Sequence, residues 1–501
     1  MSTILIGKND SASVELDAHF GNRHGMISGA TGSGKSVSLM VLAEGFSRLG
    51  VPVFLADVKG DLAGLSQAAA TPPSEKLLAR LETLGIATTW QPAANPVVFW
   101  DLYGKLGHPI RATVSEMGPT LLARVLELND TQEGVLEIVF KLADDNGWLL
   151  LDLDDLRALL VFVADNSKDV SARYGLVSKA SLGAVQRALL QLEQQGANQF
   201  FGEPALELPD IMRQDMSGRG IINVLAADQL ILKPKLYSTF LLWLLSELFE
   251  QLPEVGDLDQ PKLAFFFDEA HLLFDGCPAA LRQRVEQVVR LIRSKGVGVY
   301  FCSQNPDDVP DVILGQMGNR IQHTLHAFTP RDQKAVKAAA ETFASNPNLD
   351  VAEVIGTLGV GEALASTLRD KGVPTPVERV LVTTPTCRLG AISDEERAAV
   401  RARSPVGAKY DNAVNRESAA EILAARAEQK VAADSEKVAK QTAKANESTG
   451  WGDALRDAVF GNKRRQGMLE TMGKQVARTM GSQVGRKILR GVLGGMFGGR
   501  R

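Results

Sequence analysis

The sequence Gly29-Ala30-Thr31-Gly32-Ser33-Gly34-Lys35-Ser36 sets the fold class of this chain. It matches the phosphate-loop pattern G-x-x-x-x-G-K-[ST] at every fixed position. It lies between an apolar run, residues 24–28, and a helical pattern, residues 37–49. A glycine-rich loop can turn its N–H groups toward phosphate oxygens, and the following helix presents its partly positive N-terminus to the same anion. A chance glycine-rich turn is the alternative, but the strand-loop-helix context favours nucleotide binding.

Each part of this loop has an expected role. Lys35 is expected to reach the β- and γ-phosphates, and the Ser36 hydroxyl is expected to hold Mg²⁺. The remaining nucleotide-binding positions contribute mainly backbone N–H groups: Gly29, Ala30, Thr31, Gly32, Ser33 and Gly34. A dinucleotide-dependent enzyme is disfavoured because Lys35-Ser36 stands in place of a G-x-G-x-x-G turn. The predicted cofactors are ATP and Mg²⁺.

A second strong pattern is an apolar run that ends in two acids. Residues 263–267 read Leu-Ala-Phe-Phe-Phe, and Asp268 and Glu269 follow directly. We expect Asp268 to act on Mg²⁺ and Glu269 to polarise the attacking water beside the γ-phosphate. Many buried strands end in acids, so the pattern gains its strength from the Lys35 loop. The second carboxylate favours hydrolysis over nucleotide binding alone.

Two more apolar runs end in polar residues. Residues 51–56 end at Asp57, with Lys59 close behind, and residues 297–302 lead to Gln304. Ligands of open α/β sheets bind at the carboxyl ends of parallel strands. Asp57 and Lys59 therefore lie near the nucleotide, or they belong to a solvated turn. Gln304 senses the γ-phosphate or holds the lytic water, or its segment caps the following turn.

Composition limits the class of protein. A chain of 501 residues exceeds one ordinary core, and a net charge of −4 excludes a globally basic nucleic-acid coat. The cysteines, Cys277, Cys302 and Cys387, lack metal-ligand spacing, which favours a reduced, cytoplasmic setting. Residues 1–7 do not resemble a signal peptide. The richest apolar run, residues 236–252, is too short and polar to span a bilayer, so we interpret it as a buried helix.

The order of patterns along the chain predicts five regions. Residues 1–105 form the first part of an ATPase core, residues 106–215 a mostly helical insertion, and residues 216–385 the second part of the core. Residues 386–460 form a charged linker or helix, and residues 461–501 a basic tail, so the ordered core should end near Pro385. Residues 321–327 alternate as an edge strand would. Within them, His323 and His326 are interpreted as ordinary strand residues rather than metal ligands.

The final segment, residues 461–501, is basic and amphipathic. It holds ten Lys or Arg residues against the single acid Glu470, and methionine or a branched aliphatic residue recurs every fourth position from Met468 to Met496. A nucleic-acid arm, a membrane-surface helix and a helix docking on a partner subunit all fit this pattern. The sequence leaves these three readings open, and it favours an oligomer-docking helix or a partly disordered tail.

Several stretches together resemble bacterial HerA-helicase C-terminal-like ATPases of the YjgR type, in the HerA/FtsK group. They are residues 29–36, 57–65, 113–119, 128–132, 267–271, 303–306 and 318–323. The resemblance implies an α/β fold: a phosphate-loop NTPase (ASCE, RecA-like) with a parallel-sheet core, a mostly α-helical insertion and an extended helical and basic C-terminal tail. It implies an extra strand between the loop strand and the acid strand. It also assigns Glu269 and Gln304 to the reaction.

The resemblance further implies a homo-oligomer, commonly a hexameric ring that moves along double-stranded DNA, and a nuclease as protein partner. In such rings an arginine of one subunit completes the next subunit's site. Arg320 is the first candidate and Arg293 the second, although either could pair with a carboxylate on its own surface. HerA translocases carry a β-barrel domain before the motor, whereas only 28 residues precede the loop here.

The sequence is compatible with two functions. The first is a Mg²⁺-dependent ATP hydrolase that acts as a DNA translocase. The second is an ATP-dependent assembly or signalling module whose tail docks a protein or a membrane without DNA translocation. Duplex DNA should stimulate ATP turnover only in the first case, and that stimulation should fall with salt because backbone contacts release counterions.

Overall fold

The computed structural model describes residues 2–256, 258–274, 279–326 and 329–447. One compact unit spans Met1–Ala424, and the second unit, Ala425–Arg501, is described only as far as Glu447. Cys277 and the basic tail, residues 461–501, lie outside the described residues. The three readings of the tail therefore stay predictions.

The strands alternate with helices through most of the compact unit. The strands are β1 (Thr3–Lys8), β2 (Ser13–Asp17), β3 (Gly25–Ser28), β4 (Val53–Asp57), β5 (Val97–Asp101), β6 (His108–Pro109), β7 (Ile222–Ala226), β8 (Leu263–Phe267), β9 (Val297–Ser303), β10 (Asn319–Gln322), β11 (Glu362–Ser366), β12 (Leu368–Arg369), β13 (Val373–Pro374) and β14 (Glu378–Val382).

The helices are α1 (Lys35–Arg48), α2 (Glu75–Thr83), α3 (Val114–Val125), α4 (Asp130–Asn146), α5 (Leu153–Asp165), α6 (Ser167–Tyr174), α7 (Lys179–Gln194), α8 (Leu208–Ile211), α9 (Pro234–Gln251), α10 (His271–Phe274), α11 (Ala279–Ile292), α12 (Asp311–Leu314), α13 (Pro330–Glu341), α14 (Val351–Ile355), α15 (Asp394–Ala402) and α16 (Ala419–Glu447). Helices α3 to α7 lie within the predicted helical stretch. None of the described helices, α9 included, is both long and apolar enough to cross a membrane.

Among the described residues, one sheet of twelve strands has the order β2-β1-β14-β11-β10-β3-β9-β8-β4-β7-β5-β6. From β10 to β6 every neighbouring pair is parallel. Strand β9 lies between the loop strand β3 and the acid strand β8, so the inserted strand implied by the resemblance is confirmed. The arrangement is the predicted phosphate-loop NTPase core.

The other end of the sheet is antiparallel, which the sequence did not predict. Strands β1, β2, β11 and β14 pair antiparallel with one another, and β11 also pairs antiparallel with β10. Strand β10 therefore lies between β3 and β11 and is internal, so its prediction as an edge strand was wrong. Its mixed pattern has a local cause: the side chains of Asn319 and Gln322 are buried and donate hydrogen bonds to backbone carbonyls.

The core lies on both faces of the sheet. Phe54 on β4 and Phe265 on β8 stack at 4.9 Å between ring centroids and pack with the insertion helices on one face. Leu55 and Phe266, the next residue on each strand, belong to the second cluster with α1. Alternate side chains are thus buried on opposite faces, which explains why these strands read as continuous apolar runs.

Ordered structure continues past Pro385, so the predicted end of the core was too early. Cys387 pairs with Ala68 in an isolated bridge, and Arg397 on α15 stacks over Phe99 at 4.4 Å. Tyr410 is fully buried and donates its hydroxyl to Asp210. This region is rich in charged and polar residues, so the sequence did not indicate that a few of its side chains pack against the core.

Candidate functional site

The candidate site lies at one edge of the sheet, where four parallel strands end. The loop follows β3, Gln304 follows β9, the acids follow β8, and Asp57 is the last residue of β4. These strands are neighbours in the order β3-β9-β8-β4. The predicted residues from four distant parts of the chain therefore share one edge, as expected for ligand binding in an open α/β sheet.

The phosphate loop has the backbone shape that its glycines predict. Gly29, Gly32 and Gly34 have φ values of 149°, 78° and 119°, and α1 begins directly afterwards at Lys35. The Lys35 ammonium donates to the carbonyl oxygens of Gly29 at 2.6 Å and Ala30 at 3.1 Å. The buried Ser33 hydroxyl has no hydrogen-bond partner among the described residues. The loop thus holds a buried cation and an unsatisfied hydroxyl, both suited to an anionic ligand.

The two acids follow β8 and are almost fully buried. Asp268 Oδ2 has no hydrogen-bond partner among the described residues. Burial, together with the Glu269 charge, raises the pKa of Asp268 to about 6. Glu269 has a φ of 49°, an uncommon backbone conformation for a residue with a side chain. Such strain at the end of a strand is characteristic of functional sites.

Two basic side chains lie beside the Glu269 carboxylate. Lys59, after β4, reaches across to contact its Oε1, and His271 Nδ1 lies 3.2 Å from its Oε2 without the alignment of a hydrogen bond. Burial favours the protonated form of Glu269, but the Lys59 contact, together with smaller effects of His271 and Lys35, outweighs burial and lowers the pKa below its ordinary value. The carboxylate is therefore ionised at neutral pH.

The loop lysine and the acids belong to one electrostatic environment. The Lys35 charge helps to lower the pKa of Glu269, and the charges of both Lys35 and Asp268 act on the buried Cys302 thiol of β9. The loop and the acidic pair therefore lie within electrostatic range of each other, on either side of β9. They do not face different sides of the molecule.

The sequence placed Asp57 and Lys59 either near the nucleotide or in a solvated turn, and the structure gives the two residues different positions. Asp57 is buried, and its carboxylate accepts from the backbone N–H groups of Gly60 at 2.7 Å and Leu62 at 3.2 Å. Burial raises its pKa to about 7. Asp57 thus shapes the turn after β4, and Lys59 is the residue of this turn that reaches the acids.

Gln304 lies after β9, between the loop and the acids in strand order. The cap of the following turn is made by its neighbour, because Asn305 forms a capping box with Asp308. Capping therefore does not require the Gln304 side chain. Its partly buried position at this edge is compatible with the predicted contact to the γ-phosphate or water.

The two candidate arginines do not join the site of their own chain. Arg320 on β10 donates to the carbonyl oxygens of Met317 at 3.0 Å and Leu314 at 2.9 Å. Its guanidinium therefore bonds to its own backbone and to no surface carboxylate in the described structure. Arg293 lies just before β9, near the buried His24 that precedes β3, at the amino ends of these strands. A role for either in a neighbouring subunit stays a prediction.

The residues present fit a magnesium ion held jointly with a nucleotide. No group of three or more His, Cys, Asp or Glu side chains in the described residues could hold a metal by itself. The unpartnered Asp268 Oδ2 and the partly exposed Ser36 supply oxygen ligands. Mg²⁺ is commonly bound through one or two protein oxygens together with phosphates and water.

Sequence reasoning missed His323 as part of this site. It was interpreted as an ordinary strand residue, but it lies directly after β10 against the loop. The missing information was the pairing of β10 with β3. Residues 319–322 pair in register with residues 25–28, so the residue after β10 must adjoin the residue after β3.

The fold and the site define a phosphate-loop NTPase. The chain belongs to the helicase HerA-like C-terminal family, whose model matches residues 3–501. No curated protein matches the sequence.

Solved structures are similar in fold at low identity. The unbound bacterial conjugative coupling protein TrwBΔN70 has a TM-score of 0.51 and 14% identity, over 78% of this chain and 90% of that chain. The plasmid coupling protein TrwB in complex with the non-hydrolysable GTP analogue GDPNP has a TM-score of 0.50 and 15% identity, over 75% and 89%.

Proposed function

We propose that this protein is a Mg²⁺-dependent ATP hydrolase of the HerA-like type that works as an oligomeric motor on double-stranded DNA. The observation that carries the hydrolase part is that Lys35, Asp268 and Glu269 lie at the same edge of the sheet, after β3 and β8. Buried polar atoms without partners accompany them there, on Ser33 and Asp268. Unpaired buried polar atoms are costly, so a ligand that satisfies them gains binding energy. Family membership supports the DNA part.

Binding of the triphosphate depends on the loop. Backbone N–H groups of residues 29–34 and the N-terminus of α1 would face the phosphates. Lys35 would exchange the carbonyl oxygens of Gly29 and Ala30 for phosphate oxygens. Ser36 and Asp268 would hold Mg²⁺, whose chemistry there is to neutralise phosphate charge.

Hydrolysis needs a base, and Glu269 is the ionised carboxylate at the right edge. It would accept a proton from the attacking water, and Gln304 would orient that water or contact the γ-phosphate. Lys59 keeps the carboxylate ionised, but it also occupies Oε1. We therefore expect Lys59 to turn toward the γ-phosphate when ATP binds, which frees Glu269 for the water.

Two substitutions test the hydrolase. Lys35→Ala should abolish both ATP binding and turnover. Glu269→Gln preserves shape but removes the base, so it should retain ATP and lower kcat by about 10²- to 10⁴-fold. Binding is measured with a fluorescent ATP analogue and turnover by phosphate release. Full turnover in Glu269→Gln would remove this residue from the mechanism.

A separate experiment tests DNA as the substrate. ATP turnover of the full-length protein is measured with and without duplex DNA at several salt concentrations, together with a variant lacking residues 461–501. A motor on DNA predicts stimulation that falls as salt rises. Turnover unaffected by DNA, with a tail needed only for capture of a protein or membrane, would favour the assembly module. The molecular mass of the protein in solution, measured with bound nucleotide, tests whether the subunits assemble into an oligomer of the size of a ring.

A further inference from the structure

His323 joins three elements of the candidate site. It is completely buried directly after β10. Its Nδ1 lies 2.9 Å from the carbonyl oxygen of Glu362 at the start of β11, and its Nε2 lies 2.8 Å from the Ser38 hydroxyl on α1. The imidazole therefore bridges the helix that follows the phosphate loop and the antiparallel half of the sheet.

The chemistry of these contacts fixes the state of the ring. Burial, with smaller effects from the charges of Lys35 and Arg80, lowers the pKa of His323 to about 4, so the ring is neutral at physiological pH. A carbonyl oxygen can only accept, so Nδ1 carries the hydrogen. Nε2 must then accept from the Ser38 hydroxyl.

The phosphate loop packs directly against this histidine. A Cβ atom added to Gly29 would lie 2.5 Å from His323 Cβ, and one added to Gly34 would lie 3.3 Å from its Cε1. The two glycines at the ends of the loop therefore face the two ends of the same side chain. The His323 side chain therefore packs closely against both ends of the loop.

Backbone hydrogen bonds tie the same segments together. Ala30 donates to the Thr324 carbonyl at 2.8 Å, and His323 donates to the Ser28 carbonyl at 2.7 Å. Gly361, just before β11, donates to the Ser33 carbonyl at 2.9 Å. The loop is thus fastened at both ends to residues that lie some 290 to 330 positions later, while its middle, near Gly32, is open.

We propose that His323 is a positioning residue that holds the phosphate loop in its nucleotide-binding shape through Ser38 and Glu362, and so sets the affinity for ATP. The inference rests on the proposed nucleotide site. A loop ordered in advance loses less conformational freedom when the ligand binds, and this preorganisation appears as tighter binding. Deleting the imidazole would release this constraint without touching any phosphate contact.

The test is equilibrium binding of a fluorescent ATP analogue to the full-length protein. His323→Ala should raise Kd by about tenfold, because two buried hydrogen bonds are lost. Exposed His326→Ala is the matched control and should leave Kd unchanged. Lys35→Ala tests the proposed function itself: if Lys35→Ala binds like the wild type, the nucleotide site is wrong regardless of His323.

Conservative variants separate the two hydrogen bonds. His323→Asn places an amide N–H near the position of Nδ1 and can still donate to Glu362, whereas His323→Gln places an amide oxygen near the position of Nε2 and can still accept from Ser38. Each should recover part of the lost affinity. Adding Ser38→Ala should weaken His323→Gln further but leave His323→Ala almost unchanged, since the Ser38 link is already absent there.

Thermal unfolding distinguishes positioning from general support of the fold. A positioning role predicts a raised Kd in protein that remains folded and a partial rescue by the conservative variants. A lower melting temperature with wild-type Kd for the folded protein would overturn the proposal. So would wild-type Kd in His323→Ala while Lys35→Ala fails to bind.

Discussion

Replacing Gly29 by alanine should weaken ATP binding through a collision whose size the structure fixes. The added Cβ would lie 2.5 Å from His323 Cβ and 3.0 Å from Ser33 Oγ, whereas carbon atoms in contact are separated by about 3.5 to 4.0 Å. The loop must therefore shift by about 1 Å, because His323 is held by the β3–β10 ladder. Overpacking of this kind costs about 1 to 3 kcal/mol.

If this free energy destabilises only the ATP-binding conformation of the loop, Kd for ATP rises by about 5- to 150-fold. The assay is a titration with a fluorescent ATP analogue, accompanied by thermal unfolding. Gly202→Ala is the matched control: Gly202 has a similar φ, 145°, but a Cβ there meets only Arg111 Cδ, at the ordinary contact distance of 3.7 Å. It should lose stability through the same backbone strain, by about 1 to 3 kcal/mol, and keep its Kd. Wild-type affinity in Gly29→Ala would refute the reasoning about loop shape.

Three further predictions concern charged residues. Lys59→Ala removes the contact that lowers the Glu269 pKa, so the acidic limb of the kcat/KM profile should move to higher pH; an unmoved limb would contradict this. Burial raises the pKa of Glu247 from 4.5 to about 7, so its ionisation costs stability as pH rises through this window. Glu247→Gln should therefore gain about 1 kcal/mol over the wild type between pH 5 and pH 8 in thermal unfolding, and a gain that does not vary with pH would refute the assignment. Arg320→Ala leaves two backbone carbonyls without their donor and should lower stability by about 1 to 3 kcal/mol in thermal unfolding. Two results together would instead favour a role between subunits: wild-type stability of Arg320→Ala, and recovery of its ATPase activity when it is mixed with Glu269→Gln subunits.

The sequence predicted the features that depend on short-range patterns. The Lys35 loop, the run before Asp268 and the apolar strands buried on both faces each lie within a few residues, and the structure has the corresponding strands and helices where they were expected. The roles of these site residues stay predictions until the substitutions are made.

The features that the sequence did not predict depend on pairing between distant segments. Residues 321–327 alternate in polarity, and nothing local indicates that β11 covers one side of β10. His323 was assigned no role for the same reason, since its neighbours Ser38 and Glu362 come from other parts of the chain. The contact between Lys59 and Glu269 joins two turns more than two hundred residues apart.

The position of β3 has a consequence for biosynthesis. Its two partners in the sheet, β9 and β10, begin at Val297 and Asn319. The hairpin of β1 and β2 can pair locally, but it joins the rest of the sheet only through β14, where Lys8 pairs with Leu381. At about 5 to 20 residues per second, a ribosome needs roughly 15 to 60 s to travel from the loop to β10. The nascent loop therefore has no sheet to hold it during that interval. We therefore expect the nascent chain to bind nucleotide only after β10 has been synthesised.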